Sequence, residues 1–222
     1  MGLFNYVRKF YRGLRVMYYA TARAYSWPIS CFKFHLNGVK FHSDFIGYGI
    51  PILDVNLKGS FTIGQKFRFN SGKYHAMGGR QQQCYFVVAK GGQLIIGNNV
   101  RVTSVAIICH NKISIGDNVM IGINTVIYDT DFHSLNPNMR NGYPERIDGV
   151  KTKPVIIHDG AFIGGHTTIL KGVTIGQNAI VGAGSVVIQD IPAEQVWAGN
   201  PARYIRDTYN YDHVKVLEDE CK

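Results

Sequence analysis

Aliphatic residues recur at every sixth position in the second half of the chain, and small or β-branched residues stand four places after them. The aliphatic positions are Ile157, Ile163, Ile169, Ile175, Val181 and Val187. The small or branched positions are Ala161, Thr167, Val173, Ala179 and Ser185. An α-helix does not have this period, but six is a multiple of two, so the aliphatic side chains fall on one side of short strands. The pattern therefore predicts stacked β-strands with aliphatic ladders pointing inward.

The same period continues upstream, with one change of phase. The residues are Ile96, Val102 and Ile108, then Ile115, Ile121 and Ile127, and more weakly the Ile-Gly pairs at 46 and 63. Three such hexads close one coil, and each coil buries its apolar edge on its neighbours. We therefore expect a parallel β-helix over residues 46–202, with caps formed by residues 1–45 and 203–222.

The N-terminal segment has a helical period instead. The apolar positions Phe4, Val7, Tyr11, Leu14 and Tyr18 recur at steps of three and four, with Arg8, Lys9, Arg12 and Arg15 on the other faces. Trp27 and Pro28 are expected to end this helix. Either the apolar stripe docks on the β-helix, or residues 1–25 make a peripheral contact with an anionic membrane surface.

Charge and cysteine content narrow the range of functions. The chain has 24 Lys and Arg against 15 Asp and Glu, and the first acidic residue is Asp44, so much of the net charge of +9 lies in the N-terminal segment. No zinc-finger, helix-turn-helix or RNA-stacking motif accompanies it, so we expect no nucleic-acid partner. The four cysteines form no Cys-x-x-Cys pair, and no secretory leader or membrane span is recognisable. We expect a cytoplasmic protein, placed at the inner face of the membrane if the N-terminal segment binds lipid.

One long interruption breaks the array of hexads. Ile127 and Ile157 stand 30 positions apart, where neighbouring hexads need six, so 24 residues are inserted without loss of phase. A loop of this length inside a compact domain is commonly functional or disordered. The inserted loop, residues 128–154, contains His133 and Arg140.

The hexads from Ile157 to Val187 are followed by Ala198-Gly199-Asn200-Pro201-Ala202-Arg203. Together they resemble the hexapeptide-repeat acyltransferases, in particular the bacterial sugar O-acetyltransferases. This resemblance implies an all-β fold, a left-handed parallel β-helix with an N-terminal helical arm and a long catalytic loop, assembled as a homotrimer. It also implies transfer from acetyl-CoA, without a metal, to a hydroxyl of a sugar in bacterial surface polysaccharide biosynthesis.

His133 is the general base that this resemblance implies. It follows an aliphatic coil position by a few residues and precedes Arg140 by seven, as the family's catalytic histidine precedes an arginine. A neutral imidazole, with an ordinary pKa of about 6.5, can take the proton of an attacking hydroxyl at neutral pH. Asp129, Asp131 or a backbone carbonyl is expected to orient the imidazole.

The resemblance also assigns residues to the two substrates. At the acceptor it implies Thr103, Asn111, Asp131 and Arg140. Thr103 and Asn111 stand where relatives often carry Asn and Asp, which leaves the identity of the acceptor open, and Ser104 and His110 compete for these roles. At the cofactor it implies Gly165, Ala183, Phe162, Lys171, Arg203 and Arg206.

The cofactor residues follow the shape of coenzyme A, which joins an extended pantetheine to a polyanionic nucleotide. Gly165 and Ala183 would contact the pantetheine, although packing at coil corners explains small residues there equally well. Arg203 and Arg206 would meet the phosphates. Lys171 would replace a phosphate contact that relatives have before Asp190-Ile191-Pro192.

Three other functions are compatible with a hexapeptide repeat. An N-acetyltransferase would act on the amine of a nucleotide-linked amino sugar or a drug. A γ-type carbonic anhydrase would need three histidines on zinc, but no two of the eight histidines show the five-residue separation that such enzymes use. A non-catalytic β-helix would have no use for the long loop.

Overall fold

The computed structural model describes residues 2–72, 82–143 and 147–208. This part of the chain begins with a long helix, α1 (Gly2–Leu36), and continues as short strands. The strands are β1 (Ile46–Tyr48), β2 (Ile52–Val55), β3 (Ser60–Ile63), β4 (Arg68–Asn70), β5 (Tyr85–Val88), β6 (Gln93–Ile96), β7 (Arg101–Thr103), β8 (Ala106–Cys109), β9 (Lys112–Ile115), β10 (Met120–Ile121), β11 (Val126–Tyr128), β12 (Val155–Ile157), β13 (Phe162–Ile163), β14 (Thr168–Ile169), β15 (Thr174–Ile175), β16 (Ile180–Val181), β17 (Val186–Val187), β18 (Gln195–Ala198) and β19 (Arg203–Asp207). A helical turn, α2 (Pro137–Arg140), and a 3₁₀ turn (Ile147–Gly149) lie between β11 and β12.

Up to β17, strands that are three apart in the chain pair with one another and form three sheets. Strands β18 and β19 extend the first of these sheets. Sheet I has the order β1-β4-β7-β10-β13-β16-β18-β19, sheet II the order β17-β14-β11-β8-β5-β2, and sheet III the order β15-β12-β9-β6-β3. The chain thus passes from sheet I to sheet II to sheet III and back to sheet I. The pairs are parallel until β18 and β19, which pair antiparallel. The expected predominance of parallel β-structure with an N-terminal helix is confirmed.

A ladder of buried side chains runs along each sheet. On sheet I the ladder is Phe69, Val102, Ile121, Ile163 and Val181. On sheet II it is Phe86, Ile107, Ile127, Ile169 and Val187. On sheet III it is Ile63, Ile96, Ile115, Ile157 and Ile175. Each of these residues is at most 2% exposed, so the hexad positions from Ile157 to Val187 are confirmed as the core.

Two of the upstream positions are off by one residue. Ile107 pairs with Ile127 in the buried ladder, whereas the predicted Ile108 points outward and is partly exposed. The change of phase therefore falls between Val102 and Ile107. At the first strand, Gly47 rather than Ile46 aligns with Phe69, and a Cβ atom on Gly47 would collide with the Phe69 ring.

Helix α1 does not end at Trp27 and Pro28 as predicted, but continues to Leu36 with Pro28 inside it. The turns after Pro28 bring Phe34 into the core, where it is fully buried and its ring lies 5.3 Å from that of Phe45 and 5.1 Å from that of Phe41. A proline inside a helix costs about 3 kcal/mol. Burying a phenylalanine returns about 1.5–3 kcal/mol, and the neighbouring rings add to this, so the helix continues.

The docked face of α1 is not the one that the sequence indicated. The buried positions of the helix are Ala22, Ser26, Ser30 and Phe34, at steps of four. Ser26 Oγ accepts a hydrogen bond from the backbone N–H of Gly49 at 3.1 Å. The predicted stripe lies in solvent instead, with Phe4 72% and Tyr11 63% exposed. The second half of the helix thus covers the first coil, while the first half leaves its apolar side chains uncovered.

Among the described residues, no helix is both long enough and apolar enough to span a bilayer.

Candidate active site

The inserted loop leaves sheet II after β11 and joins sheet III at β12, and its two ends are paired with each other. Thr130 and Thr152 form an antiparallel bridge, and the backbone N–H of Lys153 donates to the carbonyl of Asp129 at 2.9 Å. Strand β11 still pairs with β8, and β12 with β9. The coil therefore continues in phase across the insertion, and the loop projects from the junction between sheets II and III.

His133 follows a tight turn at the start of this loop. Its backbone N–H donates to the carbonyl of Asp131 at 2.7 Å, and Phe132 has a positive φ of 62°, which is unfavourable for a bulky residue and is found chiefly where the surroundings enforce it. The Phe132 ring packs edge-on against Tyr128 at 5.1 Å and against His110 at 5.9 Å. The exposed His133 side chain is thus presented from a constrained backbone.

Asp131 is joined to the coil by an ion pair. Its Oδ1 lies 2.5 Å from Nζ of Lys171, and the two side chains are 16% and 25% exposed. Its Oδ2 is buried without a hydrogen-bond partner among the described residues. The pair ties the loop to the turn after β14. This geometry does not support the predicted phosphate contact of Lys171, because the ammonium group is engaged by the loop.

Arg140 fixes the middle of the loop. Arg140 is the last residue of α2, and its Nη1 donates to the carbonyl of Ser134 at 3.0 Å. The first turn of α2 is capped by Asn136, whose Oδ1 accepts from the backbone N–H of Asn138 at 2.9 Å. The arginine therefore holds the segment that follows His133. A contact of Arg140 with the acceptor stays a prediction.

Asp129 anchors the loop to the coil below it. Its side chain is fully buried and accepts hydrogen bonds from the backbone N–H groups of His110 and Asn111, both at 2.7 Å. The Asn111 amide in turn donates to Thr152 Oγ1 at 3.3 Å. Asn111 therefore lies at the base of the His133 loop, and its contact with the acceptor stays a prediction. Both carboxylate oxygens of Asp129 thus accept from backbone N–H groups of the coil.

Thr103 lies at the end of β7, on sheet I, and sheet II separates it from Asn111. Its Oγ1 accepts a hydrogen bond from Asn70 Nδ2 at 3.2 Å. Both residues line a cavity of about 330 Å³ on the outer face of sheet I, together with Arg68 and Arg101. The sequence did not indicate Asn70, Arg68 or Arg101, because the parallel register that stacks β4 on β7 joins positions 33 residues apart.

The expected pantetheine contacts lie at the turns from sheet I to sheet II, in stacked coils. A Cβ atom on Gly122 would stand 2.5 Å from the nitrogen of Gly165, and one on Gly165 would stand 3.0 Å from Ile123. The backbone N–H of Gly184, next to Ala183, donates to the carbonyl of Gly165 at 2.8 Å. Close stacking thus accounts for the small residues, and a contact of Gly165 and Ala183 with the pantetheine stays a prediction.

The other cofactor residues lie on the outer face of sheet I or at its last strand. Phe162 is 43% exposed and aligned with Ile180, and Arg206 is opposite Val196 across β18 and β19. Arg203 and Arg206 are both exposed. Phe162, Gly165 and Ala183 thus precede the two arginines along sheet I, and their contacts with the pantetheine and the phosphates stay predictions.

The candidate residues form two groups on this chain. His133, Arg140, Asn111 and the pair of Asp131 and Lys171 lie at the junction of sheets II and III. Thr103 and the expected cofactor residues other than Lys171 lie on sheet I or at its turns into sheet II. The structure brings the members of the first group together, spreads those of the second along sheet I, and separates the two groups by sheet II.

The buried cysteines do not supply a nucleophile. Burial raises the pKa of the Cys84 thiol to about 12. Burial, with the nearby negative charge of Asp129, raises the pKa of the Cys109 thiol to about 12. Both thiols are therefore protonated at neutral pH and do not attack a thioester. In the described part of the chain, no three His, Cys, Asp or Glu side chains are grouped as metal ligands.

Two family models match the chain within the repeats. The model described as bacterial transferase hexapeptide (six repeats) matches residues 154–189, and the model described as hexapeptide repeat of succinyl-transferase matches residues 112–128. Both segments contain the buried ladder positions described above.

Similar proteins include galactoside O-acetyltransferase of Escherichia coli, which is 36% identical over 131 residues, covering 58% of this chain and 61% of that protein. The chain thus spans less than two thirds of the length of this curated relative. A crystal structure of a hexapeptide-repeat-containing acetyltransferase from Vibrio cholerae, complexed with acetyl coenzyme A, is 26% identical with a TM-score of 0.52, covering 81% of this chain and 76% of that one. A galactoside acetyltransferase in complex with coenzyme A is 26% identical with a TM-score of 0.50, covering 78% and 66%.

The matched models, the named relatives and the buried six-residue ladders agree with one another. The resemblance indicated by the sequence is therefore confirmed, and over the matched segments the chain is similar to the hexapeptide-repeat acetyltransferases.

Proposed function

We propose that this protein transfers an acetyl group from acetyl-CoA to a hydroxyl of a sugar, in the synthesis of a bacterial surface polysaccharide. The similarity to a galactoside O-acetyltransferase carries this proposal. It is supported by His133, which stands exposed on a constrained turn of the inserted loop.

In this reaction His133 acts as the general base. Its neutral imidazole takes the proton of the acceptor hydroxyl as the oxygen attacks the thioester carbonyl, so that a C–O bond forms. The tetrahedral intermediate collapses, the C–S bond breaks, and the imidazolium returns the proton to the thiolate of coenzyme A. No acyl-enzyme is needed, which agrees with the raised thiol pKa values of Cys84 and Cys109.

We further propose that the active site is completed by a second copy of the chain, in a homotrimer of left-handed coils. The support is the separation of the two groups of candidate residues, with His133 beyond sheet II from Thr103 and Gly165. A three-fold assembly can bring the loop of one copy against sheet I of the next. Each of three equivalent interfaces then holds one acceptor and one acetyl-CoA.

The first half of α1 is proposed to rest on the cytoplasmic face of a membrane. Its exposed apolar residues, including Phe10 and Leu14, occupy about half of the helical circumference, and Arg8 and Arg12 lie on the other half. No acidic residue precedes Asp44. A wide apolar face bordered by cations is typical of helices that lie in the surface of an anionic bilayer.

The experiment is an acetyl-transfer assay of the purified protein with acetyl-CoA and a panel of neutral sugars, amino sugars and lipid-linked oligosaccharides. Replacing His133 with Ala should lower kcat by about 10²-fold or more while leaving the affinity for acetyl-CoA unchanged. The exposed His42 of the N-terminal cap provides the matched control, as His42→Ala. A loss below tenfold for His133→Ala would place the base elsewhere, and acetylation of amines alone would replace the O-acetyltransferase by an N-acetyltransferase.

A further inference from the structure

Two arginines stand directly opposite one another on the outer face of sheet I. Arg68 of β4 and Arg101 of β7 are register partners, and their neighbours Phe69 and Val102 point into the core, so both guanidinium groups face outward. Like charges at directly opposed positions in a sheet destabilise it. The coil could avoid this repulsion with any polar residue at either position.

The repulsion is not relieved by carboxylates of the described chain. Within residues 2–72, 82–143 and 147–208, neither guanidinium group makes an ion pair or a side-chain hydrogen bond. Both side chains are exposed, so the ten N–H donors of the two guanidinium groups are available to a ligand.

The two arginines border a cavity rather than a flat surface. The cavity of about 330 Å³ is also lined by Tyr48, Asn70, Thr103 and Met120. Because Thr103 Oγ1 accepts from Asn70, the hydroxyl proton of Thr103 and the Oδ1 of Asn70 can face a ligand as donor and acceptor. A cavity of this size, with an apolar wall and few convergent polar groups, is typical of a small-molecule site.

The position of this cavity separates it from the expected nucleotide end of acetyl-CoA. In sheet I, β10, β13, β16 and β18 lie between β7 and β19, and strands in a sheet are spaced by about 4.8 Å. Arg101 is therefore about 24 Å from the strand of Arg203 and Arg206. The phosphates of coenzyme A and an anion at Arg68 and Arg101 are two different ligand groups.

We propose that Arg68 and Arg101 bind the phosphate of a phosphorylated sugar, so that the acceptor is a sugar phosphate or sugar diphosphate and not a neutral sugar. This inference rests on the proposed function, since it names the class of acceptor. A guanidinium group binds phosphate oxygens in a bidentate manner, and Thr103 and Asn70 would hold the sugar hydroxyls beside it.

The test is calorimetric titration of the full chain, saturated with coenzyme A so that the cofactor phosphates are already bound, with galactose 1-phosphate and with galactose. We expect galactose 1-phosphate to bind at least tenfold more tightly, and the double variant Arg68→Gln, Arg101→Gln to remove this preference. The matched control is Lys58→Gln with Lys90→Gln, which removes two exposed charges from the other side of the coil and should keep it.

Equal binding of the two sugars by the unmodified chain would overturn the proposal. An equal loss of the preference in the lysine control would also overturn it, because the effect would then be one of general charge. A change of oligomeric state in the arginine variant, measured by light scattering, would overturn it as well, because the arginines would then contact another copy. A nucleoside-diphosphate sugar and a polyprenyl-diphosphate sugar in micelles form a second arm that distinguishes the source of the phosphate. Failure of the proposed function would appear separately, as absence of coenzyme A binding or of acetyl transfer.

Discussion

Lys171 and Asp131 are 40 residues apart in the chain, and their side chains meet with Nζ 2.5 Å from Oδ1. The lysine belongs to the turn after β14, and the aspartate lies two residues before His133. The position of the expected base thus depends on a residue of the next coil.

Replacing Lys171 with Met should therefore disturb the loop more than the coil. It would leave a largely buried carboxylate without its cation, at a cost of about 1–3 kcal/mol in the free energy of unfolding. We expect kcat to fall while the KM for acetyl-CoA stays unchanged, with stability followed by urea unfolding. Adding Asp131→Asn should recover most of the lost stability, and the exposed Lys153→Met is the control. A rise in the KM for acetyl-CoA without a fall in kcat would instead support the predicted contact of Lys171 with a phosphate of the cofactor.

Removal of both Arg203 and Arg206 should act on cofactor binding. Both are exposed at the last strand of sheet I, where the nucleotide end of acetyl-CoA is expected. The double change to Ala should raise the KM for acetyl-CoA by about tenfold or more with little change in kcat, since charge-assisted contacts contribute about 1.5–3 kcal/mol in total when they act only in binding. The effect should shrink with a truncated thioester that lacks the nucleotide. Equal damage with both thioesters would contradict the assignment.

The first half of α1 should bind anionic vesicles. The full chain is expected to co-sediment with vesicles containing phosphatidylglycerol at low salt and to stay in solution with phosphatidylcholine alone, because each basic residue adds about 1 kcal/mol on an anionic surface. Arg12→Glu and Leu14→Glu should each weaken this binding without changing thermal stability, since both side chains are exposed. If the full chain stays in solution with anionic vesicles, the membrane proposal is wrong.

The first coil should not tolerate a methyl group at Gly47. A Cβ atom there would meet the ring of Phe69, so Gly47→Ala should lower the free energy of unfolding by about 1–3 kcal/mol. Combined with Phe69→Leu, it should cost less than the sum of the two single changes. Gly13→Ala is the control, because nothing lies within 4 Å of a Cβ atom at that position. Simple additivity of the two changes would mean that the ring does not limit residue 47.

The sequence predicted the parts of the fold that repeat. The ladder from Ile157 to Val187 follows from the period alone, since every sixth side chain is required to fill the same space. Ile107 and Ile108 are both isoleucine, so composition could not tell which one turns inward. Pro28 predicted an early end of α1, because a proline disfavours the helix interior, and the local period did not show that Phe34 would pack on Phe41 and Phe45.

The sequence predicted the candidate site only where the spacing of the hexads along the chain indicates it. His133 and its loop were found because the insertion interrupts a regular pattern. The pairing of Asp131 with Lys171 and of Arg68 with Arg101 comes from stacking of successive coils. That stacking depends on the length of the turns and loops between the strands, and no local pattern reports it.

The two ends of the inserted loop are paired with each other, so the loop leaves the coil and returns to it at the same place. Thr130 and Thr152 close the base of the excursion, and the strands on either side keep their partners. Apart from the ion pair of Asp131 with Lys171, the pairing of the strands on either side therefore does not require a particular length of chain between these two threonines. On the proposed function, changes of sequence in the loop would alter which acceptor is bound while the strands of the coil keep their partners, so acceptor preference could diverge faster than the coil.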